Sequence, residues 1–151
     1  MEQIIFQQVE LIRGRTMEVF NNIMEEQADI QPAGFNNTIR WNLGHILTVQ
    51  ELMAFSFMNE PMALPEDLMK LFVPGSKPSE WESTPPTLEA LSNLLQEQTA
   101  RIKQKLTGRM DEKLAKPFKD FQTVGEVLNY SIYHEGIHTG FLNALRRVVQ
   151  A

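Results

Sequence analysis

Apolar residues recur along most of this chain at the three-and-four spacing of an α-helix, and each such run ends in a cluster of turn-forming residues. From Gln3 to Glu26 the apolar positions are Ile5, Val9, Ile12, Val19 and Ile23, with Thr16 filling the gap and charged and amide residues opposite. This predicts a first helix ending near Gln27, because Pro32, Gly34, Asn36 and Asn37 break the pattern that follows. A second helix is predicted from Thr38, an N-cap residue, to Met58; Trp41, His45, Val49 and Leu52 share one face, widened by Ile46 and Met53. Gly44 inside it costs about 1 kcal/mol against alanine, a cost that points to another backbone or a ligand coming close.

Residues 59–86 carry Pro61, Pro65, Pro74, Gly75, Pro78, Pro85 and Pro86, which rule out a continuous helix and leave one short helix at about Glu66 to Phe72. A connection of this length suits a crossover between parallel-running helices or a flap over a site, and Trp81 within it is expected to plug the core. A third helix begins at Thr87, places Leu88, Leu91, Leu95, Ile102 and Leu106 on one stripe and closes at Gly108. Met110 to Gln122 reads as a linker with a helical turn at Asp111 to Ala115. The capping-box pattern Thr123-Val124-Gly125-Glu126 opens a fourth helix, whose inward stripe is predicted as Val127, Ser131, His134, His138, Phe141, Leu145 and Val148 or Val149.

With weak strand signals and no internal repeat, the pattern predicts an all-α fold, a four-helix bundle with one long crossover, occupying residues 1–151 as a single domain. The 42% hydrophobic content and 22% charged content place the chain among globular rather than disordered sequences. A net charge of −5 argues against nucleic acid as a partner, since phosphate-backbone binding needs clustered Lys and Arg. The N-terminal stretch carries Glu10 and Arg13 instead of an apolar targeting core, and no run approaches the roughly 20 apolar residues of a membrane span; a cytoplasmic location with no membrane partner is the resulting expectation. The absence of cysteine excludes disulfides, thiolate ligands and a protein thiol nucleophile, so any thiol chemistry must use a thiol supplied by a small-molecule substrate.

Two of the three histidines, His134 and His138, stand four residues apart and so lie on one face of a helix; the third, His45, is in register with the core of the second. Imidazoles on core positions are commonly hydrogen-bonded structural residues, but three that converge across a bundle make a metal site. Neutral imidazole suits zinc, nickel, iron(II), cobalt and copper, and three of them with no carboxylate leave the ion's charge uncompensated, which favours an anion in the open positions. Such a site activates water for hydrolysis or another acidic donor as a nucleophile. The string His134-Glu135-Gly136-Ile137-His138 also matches the zinc-protease motif, but no Asp or Glu follows His138 as a third ligand, and Phe141 and Ala144 stand where the extended motif needs Gly and His. Glu135, about 100° round the helix from His134, is a hydrogen-bond partner for a ligand, a general base or a solvated residue; it is the one candidate for a catalytic group. Trp41 and Tyr130, one turn before His45 and His134, are either core residues or walls of a substrate pocket.

Together, Asn37-Thr38-Ile39-Arg40-Trp41-Asn42-Leu43-Gly44-His45 and His134-x-x-x-His138-x-Gly140 resemble the two signatures of the DinB/YfiT-like superfamily, and the resemblance extends over nearly the whole chain. It implies an up-down-down-up four-helix bundle, often a homodimer, that binds zinc, nickel or another divalent ion such as iron or manganese through His45, His134 and His138. Members of that superfamily are described as DNA-damage-inducible stress-response proteins, metal-dependent hydrolases, and transferases of low-molecular-weight thiols such as bacillithiol. The reading implied for this chain is a metal-dependent thiol transferase, with a hydrolase or a non-catalytic ligand-binding protein as alternatives. One departure stands out, Phe141 where the second signature often has Gln.

Overall fold

The computed structural model describes residues 1–151 and is mostly helical, with a small two-stranded sheet. Four long helices, α1 (Glu2–Met17), α2 (Ile39–Ala54), α4 (Leu88–Leu106) and α5 (Val124–Val149), are joined by loops, the short α3 (Glu66–Lys70) and a hairpin of β1 (Lys113–Phe118) and β2 (Phe121–Thr123). Helices α1 and α2 each pack against both α4 and α5.

The caps form as the sequence dictates. Thr38 Oγ1 accepts from Trp41 N (3.1 Å), Thr87 Oγ1 accepts from Ala90 N (3.1 Å), and Glu126 Oε2 reaches back to accept from Thr123 N (2.9 Å), closing the capping box. Every residue of α2 except Leu52 is buried, so this helix runs through the centre rather than along a face.

Three expectations are corrected. The first helix stops at Met17, not near Gln27, and continues as two 3₁₀ turns, Phe20–Asn22 and Glu25–Gln27, with Ile23 extended between them. Asn22 Nδ2 donates to Glu18 O (3.0 Å), the local side-chain bonding by which asparagine competes with helix propagation. The segment 110–122 forms the hairpin instead of a linker with a helical turn. Its strands pair antiparallel, Lys113 with Thr123 and Phe118 with Phe121, with an irregular register between. Pro117 is tolerated because β1 is an edge strand, and Phe118 and Phe121 are held by packing on Tyr130, at ring separations of 5.7 and 5.3 Å. On α5 the buried stripe is Val124, Val127, Leu128, Ser131, Glu135, Thr139, Leu142 and Leu145; Phe141 is 53% and Val148 48% exposed, so neither points inward.

The apolar core falls into two main parts. One gathers Val19, Ile39, Leu43, Leu91, Leu95 and Leu142; the other gathers Ile5, Val9, Phe55, Ile102, Leu106 and Leu128. Along each long helix the two sets are separated by buried polar residues: Arg13 and Thr16 on α1, Glu51 on α2, Gln98 on α4, and Glu135 and Thr139 on α5. These satisfy one another. Arg13 donates from Nε and Nη2 to Glu135 (2.8 and 3.1 Å) and from Nη1 to Leu95 O (2.6 Å), Thr16 donates to Glu135 (2.7 Å), and Gln98 Nε2 donates to Glu51 (2.8 Å), which Arg101 also pairs (2.7 Å).

Candidate metal centre

The three histidines meet where α2 passes α5, and one nitrogen from each lies within 4.8 Å of the other two. His45 is buried, and its Nδ1 is 2.7 Å from Phe72 O; because a carbonyl only accepts, Nδ1 carries the proton and Nε2 presents a lone pair. His138 is fixed in the same sense: Nδ1 lies 2.9 Å from Asn42 Oδ1, and Asn42 Nδ2 donates to Thr38 O (2.8 Å), which sets the amide orientation. His134 Nε2 stands 3.2 Å from His45 Nε2. Two nitrogens bound to one tetrahedral ion at about 2.0–2.1 Å lie about 3.3 Å apart, so this pair already has the spacing a metal requires. Carbonyl and amide acceptors on the non-converging nitrogens are what orient imidazole ligands in metal sites. The donor set fits a divalent cation.

Electrostatics agree. Burial, followed by the neighbouring imidazole and the Lys119 ammonium, lowers the His134 pKa to about 4; burial and the other two imidazoles lower His138 to about 3. Burial also lowers His45, against the opposing effect of the Phe72 carbonyl. Neutral imidazoles are the ligating form.

Gly44 explains the approach of the crossover. A β-carbon on residue 44 would lie 2.4–2.5 Å from the Phe72 ring, so only glycine lets Phe72 seat against α2 and aim its carbonyl at His45. What comes close is therefore a side chain, where the sequence pointed to a backbone or a ligand. Trp81 packs edge-on over Phe72 at 5.5 Å and donates from Nε1 to Leu71 O (2.8 Å), covering this support as a plug.

Trp41 is a core residue that touches a histidine and lines neither of the two cavities beside the histidines. It is buried, its ring stacks on His45 at 4.5 Å and 13°, and its Nε1 donates to Ser76 Oγ (2.9 Å). Tyr130 and His134 share a cavity of about 240 Å³ walled by Val49, Leu52, Met53, Phe57 and Phe118. A second, of about 210 Å³, is lined by Asn37, Asn42, His138 and Phe141. A larger hollow of about 510 Å³ beside Trp81 touches none of the histidines. Glu135 is not solvated: it is 2% exposed, and its carboxylate is turned to Arg13 and Thr16 of α1.

Asn42, Phe72, Arg13 and Lys119 were not singled out by the sequence. Asn42 had a signal, its place three residues before His45 on a helix, and Arg13 another, its fit to the spacing Ile5, Val9, Arg13, Thr16. A backbone carbonyl such as that of Phe72 leaves none.

No curated protein matches this chain. Among solved structures, one described as the conserved protein of locus from Enterococcus faecalis is 18% identical, with 97% of this chain and 95% of that one covered and a TM-score of 0.73, a likeness of fold. The sequence pattern of the DinB superfamily matches residues 8–142. With that match over most of its length, the chain belongs to the DinB superfamily.

Proposed function

We propose that this chain is a single DinB-like domain that holds a divalent ion, zinc or nickel in the first place, through His45, His134 and His138, and transfers a low-molecular-weight thiol to an electrophile. The observation that carries this reading is the convergence of three neutral imidazoles, unaccompanied by any carboxylate, beside an apolar cavity. When bound, the ion supplies a Lewis acid that lowers the pKa of a thiol in its open position and whose uncompensated charge attracts an anion. The chain has no cysteine, so the sulfur comes from the cosubstrate. In the transfer the thiol loses its proton to solvent, its sulfur forms the new bond to the electrophile's carbon, and the leaving group departs with the electrons of the bond that breaks. Trp41, stacked on His45, shields that side of the centre from water, and the walls around Tyr130 receive the electrophile's apolar part.

The distribution of core residues supports an up-down-down-up bundle. Helices α1 and α5 run from the Ile5–Leu128 half to the Val19–Leu142 half, while α2 and α4 run the opposite way. Exposed Tyr133, Ile137 and Phe141, four residues apart along α5, offer a surface for a homodimer. No helix is long and apolar enough to cross a membrane, in keeping with a cytoplasmic enzyme.

Elemental analysis of gently purified protein tests the site: about one ion per chain is expected, and its loss in His45→Ala. Full occupancy without His45 would falsify the three-ligand centre. Incubating metal-loaded and stripped protein with several cellular thiols and a chromogenic electrophile tests the reaction. Metal-independent rates throughout sink the transferase, and ester turnover without thiol replaces it with hydrolysis.

A further inference from the structure

The tip of the hairpin carries a lysine where the backbone favours glycine. Phe118 pairs with Phe121, which leaves Lys119 and Asp120 as the two turn residues, and Lys119 sits at φ 50° in the left-handed region. Glycine fills such a position without the steric penalty that a β-carbon brings, so a non-glycine residue held there directs attention to its side chain. That side chain folds back over the site. Its ammonium lies 4.3 Å from the centre of the Tyr130 ring and 5.8 Å from that of Phe118, both walls of the apolar cavity that contains His134. Its one hydrogen bond is to Tyr130 Oη (2.7 Å), and it forms no salt bridge. Because the ammonium donates to this oxygen, the phenol keeps its own proton free to donate.

We propose that Lys119 and Tyr130 form a two-donor clamp at the rim of the Tyr130 cavity, which makes this site specific for apolar molecules that carry an anionic oxygen group, a carboxylate, sulfonate or phosphate. This rests on the reading that the cavity adjoining His134 receives the electrophile. The apolar body enters between Val49, Met53, Phe57 and Phe118, a space of about 240 Å³, and the anion stays at the solvent edge between the ammonium and the phenol. In an acidic chain of net charge −5, a cation free of any carboxylate partner at this rim selects against the protein's general repulsion of anions. Lys119 is a binding residue here and takes no part in proton transfer.

The test compares 2-naphthoate with 2-naphthamide, near-isosteres that differ in charge, binding to zinc-loaded protein and again after chelation, by calorimetry with Met53 methyl resonances reporting the location. The expected result is about a fivefold preference for the naphthoate, present with and without zinc, retained in Lys119→Arg and lost in Lys119→Gly. The glycine variant should melt no lower than the parent, since it relieves the left-handed turn residue, so loss of preference cannot be put down to misfolding. Equal affinities for the two ligands, an unmoved Met53 signal, or a preference untouched by Lys119→Gly each overturn the clamp. A preference that is lost when zinc is chelated and is indifferent to Lys119 overturns it too, assigning anion selection to the ion while leaving the metal-dependent function intact.

Discussion

Replacing Gly44 with alanine sets two effects of opposite sign against each other, and the geometry decides between them. In an exposed helix the substitution stabilises by about 1 kcal/mol through helix propensity. Here the new methyl would sit 2.4–2.5 Å from three atoms of the Phe72 ring, a side chain with no solvent exposure that Trp81 covers edge-on at 5.5 Å. The ring cannot swing away, so either α2 or the 59–86 segment must shift. Overpacking of this kind costs about 1–3 kcal/mol, which cancels or exceeds the propensity gain and leaves a net loss of up to about 2 kcal/mol. For a chain of this size each kcal/mol corresponds to about 2–4 °C, so the metal-free melting temperature should fall by no more than about 8 °C. The larger effect is functional. Phe72 O is the acceptor that fixes the His45 imidazole at 2.7 Å, and moving it loosens the ligand's orientation. Loss of such an outer partner lowers metal affinity about 10–100-fold. Thermal melts of stripped protein and zinc titration against a competing chelator measure the two parts. A Gly44→Ala protein that melts at or above the parent and binds zinc with unchanged affinity would refute the reasoning that places Phe72 between α2 and the site.

Glu135→Gln should destabilise strongly while leaving metal stoichiometry unchanged, because it strands the Arg13 guanidinium, 3% exposed, without its anion; breaking a buried pair costs about 3–5 kcal/mol, read as a drop in urea midpoint. A mild stability loss accompanied by loss of the ion would instead place the carboxylate at the metal centre. Acidity should act on the metal-free fold through the histidines. His134 and His138 titrate at about 4 and about 3 when folded and near 6.5 when unfolded, so between about pH 4 and 6.5 the unfolded chain binds more protons and stability rises with pH. Melting temperature should therefore decline as the pH is lowered from about 7 to about 4.5, and the decline should be shallower in His134→Ala. For the same reason zinc affinity of the folded protein should hold down to about pH 5, below the point where free imidazole protonates; a fall centred on about 6.5 would show that the imidazoles are solvated.

The sequence by itself determined the elements whose signals are local. Thr38, Thr87 and the Thr123–Glu126 box each sit on the helix start they predict, Gly108 adopts the left-handed backbone of a terminator, and proline spacing confined the crossover to one short α-helix and a 3₁₀ turn at Pro78–Glu80. It also selected the three histidines, because a four-residue spacing on one helix and core register on another are properties of helical geometry alone. Tertiary structure decided what depends on neighbours distant in the chain. The hairpin at 113–123 has little strand propensity of its own and exists because Phe118 and Phe121 find Tyr130. The rotation of α5, which buries Glu135 and exposes Phe141, goes with the pairing of Glu135 to Arg13 on a helix more than a hundred residues earlier, so the predicted stripe holds at Val127, Ser131 and Leu145 and fails at Phe141 and Val148. The nitrogen that His45 and His138 offer was decided in the same manner: a backbone carbonyl from the crossover and an amide on α2 hold their protons, and neither acceptor is visible until the chain has folded. Spacing along a helix can say which residues share a face. Only packing between helices says which face is inside, and which lone pairs meet there.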